Sequence, residues 1–298
     1  MQIPREADSF VEATFSQCKQ LIRANIWTVD ASRYEGWRRQ FQGPEEEFFS
    51  ACILHKLIFR SRRQFEAGLL SIFRGGLRNV ITPNAHDLSF AEMLSKNKRG
   101  KIKLVPVLGD KDPPTKSGPY VLRRLQRLMD VKKPWMCWPW QAKRKLEEGD
   151  VDSVVFVDDF LGTGQQFEDF FKQWKFDTFL GNATLVYCPV VAHHDGLKHL
   201  ANVFPGITVV SAEVLDTENH GFFSNSVWSE LSGGAISGKE AISWYKDFLR
   251  ERGINPGVEK TFGYGGLALT LGFSHSTPNN SLPLLWYEST DWVPLLER

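Results

Sequence analysis

The sequence predicts an α/β protein: a doubly wound, mostly parallel sheet preceded by a helical N-terminal region. Three observations predict it. Short β-prone apolar runs recur after residue 100. Segments with helical periodicity separate them, which is the alternation of a parallel sheet rather than of hairpins. Residues 5–95, by contrast, carry helical spacing and little strand-like alternation.

The elements follow in order. Phe10, Val11, Ala13, Thr14, Cys18, Leu21 and Ile22 form one helical stripe, and Glu46–Leu57 and Phe65–Leu77 repeat the pattern. A basic connector, Lys96–Lys103, ends this region, so the division expected is 1–98 helical and 99–298 α/β with a C-terminal extension. KLVPVL (Lys103–Leu108) is the first strand. A Pro-rich loop, GDKDPPTKSGPY, leads into a helix over Val121–Met129. The second β run, VDSVVFV, stops before Asp158; ATLVYCPVVA (Ala183–Ala192) and GITVVSA (Gly206–Ala212) are the third and fourth; LALTLGF (Leu267–Phe273) is a candidate fifth. Helices over Gln141–Glu148, Gln165–Lys175 and Gly196–Val203 lie between them.

Composition narrows the function classes. A net charge of +1 over 298 residues gives no global field toward nucleic acid or membrane. The N-terminus MQIPREADSF has charges where a signal peptide needs an apolar core, and no apolar run approaches spanning length. Cys18, Cys52, Cys137 and Cys188 are too scattered for a Cys-x-x-Cys pair and read as free thiols of a cytoplasmic protein.

One stretch carries chemistry: VVFVDDFLGTGQQFEDFF, Val154–Phe171. Phe167, Phe170, Phe171 and Trp174 give a helical stripe that packs on the sheet. Leu161, Gly162, Thr163, Gly164 and Gln165 then form the loop at that helix's N-terminus, where unpaired N–H groups suit a phosphate. Asp158 and Asp159, at the carboxyl end of the strand, repel phosphate but accept hydrogen bonds from vicinal hydroxyls. A phosphate cradle beside a hydroxyl clamp describes a ribose 5-phosphate site.

VVFVDDFLGTGQQ resembles the signature of type I phosphoribosyltransferases. The resemblance implies that Asp158 and Asp159 hold ribose hydroxyls and help stabilise an oxocarbenium-like state. It implies that Leu161 through Gln166 hold the 5′-phosphate. It also implies a pyrophosphate loop, for which Lys116, Ser117 and Gly118 are the loose match, with Mg²⁺ held through the substrate diphosphate. Two departures stand out. Gln166 occupies a position usually Ser or Thr, and Gly162 one that is often Asp, Ala or Thr, so no loop acid is ready as a base. The C-terminal segment Gly263–Arg298, with Thr-Pro-Asn-Asn, Leu-Pro and Trp-x-Pro-Leu, looks like the closing segment of PRTase-CE, a bacterial family of conflict and defence effectors. The implied activity is transfer or hydrolysis at the anomeric carbon of a nucleotide or phosphoribosyl pyrophosphate (PRPP). The alternative from another class is a non-catalytic sensor that keeps the pocket and binds partners of a defence operon through its helical N-terminal region.

Other readings remain beside this one. Alone, VVFVDDFLGTG is also an ordinary buried strand ending in a solvated turn. A Walker-type nucleotidase fits the apolar strand and Lys116-Ser117, but Thr115, Pro113 and Pro114 stand where that loop needs glycine and amides. His194 and His199 are off the spacing of a helical zinc pair. His193, His275, Asn279 and Asn280 are expected pocket-lining residues, the last three because they follow the fifth strand; Asx turns around Pro278 explain the asparagines equally well. FRSRRQF (Phe59–Phe65) and the connector are basic, yet solvated helix faces account for them without nucleic acid.

Overall fold

The computed structural model describes residues 2–81, 90–96, 100–113 and 115–298. Residues 97–99 of the basic connector, and Pro114, lie outside the described residues. In chain order, helices α1 (Ala7–Arg23), α2 (Ala31–Arg38) and α3 (Pro44–His55) lead to strand β1 (Ile58–Arg60) and helix α4 (Arg62–Ser71), which continues as a π-helical turn over Ile72–Gly76. Helices α5 (Arg78–Ile81) and α6 (Phe90–Leu94) precede β2 (Ile102–Pro106), α7 (Ser117–Met129) and α8 (Pro139–Glu147). Then come β3 (Ser153–Leu161), α9 (Gln165–Gln173), β4 (Thr184–His193), α10 (His194–Val203), β5 (Thr208–Val209) and β6 (Glu213–Leu215). The chain closes with α11 (Thr217–His220), α12 (Asn225–Ser232), α13 (Gly238–Glu251), β7 (Leu271–Phe273) and α14 (Pro283–Trp286).

The chain divides into two compact units, Gln64–Leu215 and Met1–Arg63 with Asp216–Arg298. The first holds a five-stranded parallel sheet in the order β2-β3-β4-β5, with β6 also paired to β4. Helices cover both faces. Val154, Phe156 and Tyr187 bury one face against Ala142 and Leu146 of α8, Phe167, Phe170 and Phe171 of α9, and Leu200 of α10. Phe156 is the hub, meeting the rings of Phe167, Phe170 and Phe171 edge-on at 5.6–5.8 Å. The apolar stripe read from Phe167 to Trp174 is therefore the stripe that packs. Side chains alternate along a strand, so Val190 of β4 faces away from Tyr187. Against Val190 and Ala212 sits Gly68 of α4, where an added Cβ would come within 2.8 Å of Val190. Beside α4 lies α7, through Phe65 and Tyr120 (ring centroids 6.4 Å) and an ion pair between Arg124 and Glu66.

The second unit is built on aromatic packing. Phe49 meets Phe222, Trp228, Trp244 and Tyr245 at ring distances of 4.5–6.0 Å. Phe41 lies among Trp37, Phe248 and Trp292 at 4.7–5.4 Å. Polar side chains inside it bond the backbone: Trp37 Nε1 donates to the Leu284 carbonyl at 2.7 Å, and Thr270 Oγ1 to that of Lys56 at 2.6 Å.

Two expectations are corrected. The division at 98/99 does not follow the compact units, because the last 83 residues belong with the first 63 (Asp216–Arg298 with Met1–Arg63). LALTLGF is not a fifth strand of the main sheet: its end, β7, pairs in parallel with β1, and Ile58 N–H donates to the Thr270 carbonyl at 2.7 Å. The cause is the same. A three-residue strand such as β1 shows no alternation to read, so its long-range partner was hidden with it.

Candidate functional site

The acids lie deeper than the sequence implies. Rather than stopping before Asp158, β3 runs on to Leu161, because β4 extends to His193 and pairs Val191 and Ala192 with Phe160 and Leu161. Asp158 is thus a ladder residue, opposite Pro189, on the face that carries Val154 and Phe156.

The topology explains why polar groups gather here. After β2 the chain crosses by α7 and pairs Met136 with Leu104 on the outer edge of β2, with Cys137 N–H donating to the Leu104 carbonyl at 3.1 Å. It returns by α8 past β2 to β3. The helices after β2 and β3 therefore run on opposite faces, and the carboxyl ends of these two neighbours flank a switch point. Such crevices are where α/β sheets bind ligands. Both helices begin there. In α9 the Glu168 N–H donates to the Gly164 carbonyl at 3.0 Å, which leaves the amides of Gln165, Gln166 and Phe167 without an intrahelical acceptor. Gly164 caps the helix at φ +91°, and an added Cβ would lie 2.8 Å from His199. At the head of α7, Gly118 sits so close to β2's exit that a Cβ would come 2.4 Å from the Val107 carbonyl oxygen.

Between the two helix starts lies Asp158, with no exposed surface; Asp159 keeps 8%. Ser117 Oγ donates to Asp158 Oδ1 at 2.9 Å, and the Asp159 N–H donates to the same oxygen at 3.0 Å. Gln166 Nε2 donates to Oδ2 at 3.4 Å. Burial, and then the charge of Asp159, hold the Asp158 carboxyl well above the usual carboxylate range. The same burial, with both aspartates adding to it, pushes the Tyr187 phenol upward. Lys116 pairs with Asp112 at 3.6 Å, and Asp112 accepts the Gly109 N–H at 2.8 Å, which fastens the loop after β2.

Of the residues expected at the site, Asp158, Ser117 and Gln166 are joined by hydrogen bonds. Leu161 is buried, and the Gly162 carbonyl packs so tightly on α10 that a Cβ on Gly196 would meet it at 2.2 Å. Thr163 is half-buried, and Gln165 Nε2 turns to Asp169 at 2.8 Å. His193 is the N-cap of α10, accepting the Asp195 N–H at 3.2 Å. His275, Asn279 and Asn280 belong to the other compact unit, so the shared sheet edge expected for them does not exist. There Asn280 Nδ2 donates to the Tyr264 carbonyl at 2.8 Å, and Tyr264 N–H to that of Asn279 at 2.7 Å. Sequence reading missed two groups. Tyr187 is the lone hydroxyl in VYCPVVA, and a phenol in a buried strand needs a partner. His199 Nε2 lies 2.5 Å from Glu168 Oε2 against the turn; Lys172 and then His199 hold Glu168 below its ordinary range.

Residues 34–298 match the family model PRTase-CE. The chain belongs to the PRTase-CE family. It is therefore phosphoribosyltransferase-like, and the match runs through both compact units. No curated protein matches the sequence. Among the described residues, no helix is long and apolar enough to cross a membrane, and no group of three His, Cys, Asp or Glu side chains is disposed to hold a metal ion.

Proposed function

We propose that this PRTase-CE protein binds a ribose 5-phosphate compound, a nucleotide or PRPP, in the crevice between β2 and β3. We further propose that it acts at the anomeric carbon of that compound as an effector of bacterial anti-phage defence. The observation that carries the reading is the convergence of two helix N-termini, one of them entered through Gly-Thr-Gly, on an acid pair at the sheet's switch point. Amides of Gln165, Gln166 and Phe167 would hold the 5′-phosphate. Asp159 would accept from the ribose hydroxyls and stabilise the positive charge that develops on the sugar. Lys116 and the Ser117 and Gly118 amides would face a diphosphate. Magnesium would enter with the ligand, held by its diphosphate and ribose oxygens rather than by Asp158, whose oxygens already accept hydrogen bonds; bound so, it would offset diphosphate charge.

A second reading has its own support. Gly162 leaves the turn without an acid, and Gln166 spends its amide on Asp158, which suits a nucleotide sensor that performs no chemistry. One experiment separates the two. PRPP and nucleotides are incubated with the purified chain and followed by ³¹P NMR, with Asp159→Asn as the control. The enzyme reading expects turnover that the variant loses at least a hundredfold. Binding without turnover leaves the sensor, and absence of binding defeats both.

A further inference from the structure

We infer that Asp158 is a positioning residue, a strut tying the first turns of α7 and α9 together, and that Asp159 alone of the pair meets the ribose. This rests on the ribose-phosphate reading of the crevice and divides a task that the family resemblance assigns to both acids.

The geometry of Asp158 leaves a ligand nothing to bind. The side chain has no exposed surface. Its Oδ1 is filled by Ser117 Oγ at 2.9 Å and the Asp159 N–H at 3.0 Å, and Oδ2 faces Gln166 Nε2 at 3.4 Å. A ribose hydroxyl would have to displace one of these partners from a carboxyl with no exposed surface, whereas Asp159 keeps 8%. Ser117 opens α7 and Gln166 is the second residue of α9, so a single carboxyl joins helices on opposite faces of the sheet. Those two helix starts supply the amides that the ligand's phosphates need, and fixing their separation before binding spares the ligand that ordering.

Charge favours the neutral form. The ionisable groups acting on Asp158 are Asp159 on β3, Tyr187 on β4 and Lys116 at the head of α7. Burial and Asp159 raise it; the hydrogen bonds from Ser117 and the Asp159 amide, and then Lys116, itself engaged by Asp112, oppose them without reversing the direction. The folded protein therefore keeps a proton on this carboxyl above the ordinary range. An asparagine reproduces the protonated acid: its oxygen accepts from Ser117 and the Asp159 amide, and its NH₂ donates to a flipped Gln166.

The test uses the full chain, with ribose 5-phosphate titrated by calorimetry across pH. Asp158→Asn is expected to bind within threefold of wild type, and Asp159→Asn at least tenfold more weakly. The ratio of Asp158→Asn affinity to wild-type affinity should grow as pH rises, because the wild type loses its proton and the amide does not. Hydrogen exchange of the ligand-free protein supplies an independent readout: Asp158→Ala should speed exchange in the first turns of α7 and α9 together, and Asp158→Asn in neither. Equal loss of binding in Asp158→Asn and Asp159→Asn, with wild-type binding intact, overturns the inference and leaves the ribose-phosphate reading standing. No binding by the wild type at any pH defeats that reading, and the division of labour with it. Exchange unchanged in Asp158→Ala overturns the strut on its own.

Discussion

The two compact units use buried polar side chains differently. In the unit of residues 1–63 and 216–298, such side chains serve the backbone: Trp37 bonds the Leu284 carbonyl, Thr270 that of Lys56, Ser281 that of Leu271 at 2.7 Å, and Asn280 that of Tyr264. In the unit of residues 64–215, Lys103 and Trp135 bond backbone carbonyls in the same way, but Ser117 and Gln166 both bond the side chain of the buried Asp158. Side-chain-to-backbone bonds satisfy groups that folding would otherwise orphan. A side-chain network around an acid is costly to bury and is not needed to close a sheet. The contrast separates residues that build from residues kept for a site. It also recasts the family pattern: Thr277, Asn280 and Trp292, which make the C-terminal segment recognisable, hold turns and aromatic core.

The contrast can be broken by mutation. The largest effect expected is from Trp37→Ala, which removes a fully buried indole and leaves the Leu284 carbonyl only the longer bond from Trp292 Nε1 at 3.4 Å; urea unfolding should show a loss of about 3–5 kcal/mol with no selective effect on ligand binding. Next is Gly118→Ala. Its Cβ meets the Val107 backbone, so α7 must shift; a loss of about 1–3 kcal/mol should come with weakened ribose 5-phosphate binding. Ser281→Ala should cost about 1–3 kcal/mol by leaving the buried Leu271 carbonyl without its hydroxyl donor, and should spare binding.

Asp158→Asn sharpens the contrast from the other side. The Asp158 carboxyl is raised in the folded protein, so the native state binds its proton more tightly than the unfolded chain does. Stability must then fall as pH rises from the ordinary carboxylate range toward the raised value. Asp158→Asn should flatten that slope and match or exceed wild type at neutral pH in thermal melts, whereas most buried polar substitutions destabilise. The smallest effect belongs to Lys143→Ala, which breaks the exposed Lys143–Glu147 pair (2.5 Å) and should change stability by about 0.5 kcal/mol or less.

Much of the sheet unit was legible. KLVPVL, VDSVVFV and ATLVYCPVVA became β2, β3 and β4 within a few residues, and the Phe167–Trp174 spacing identified the packed face of α9. The acid pair and the glycine turn were readable too, since a strand end and a helix start adjoin in sequence. The ends of β3 were not, because its last residues are strand only by virtue of β4 beside them.

By itself the sequence determined the local elements, the likeness to phosphoribosyltransferases and the adjacency of Asp158 to the turn, all of which depend on residues within a few positions of one another. Only the tertiary structure decided that Asp216–Arg298 falls in one unit with the first helices, that β7 pairs with β1, and that Ser117, 41 residues away, holds Asp158. Such choices are made by long-range strand pairing and by which buried hydroxyl reaches which buried acid. Periodicity carries no record of either.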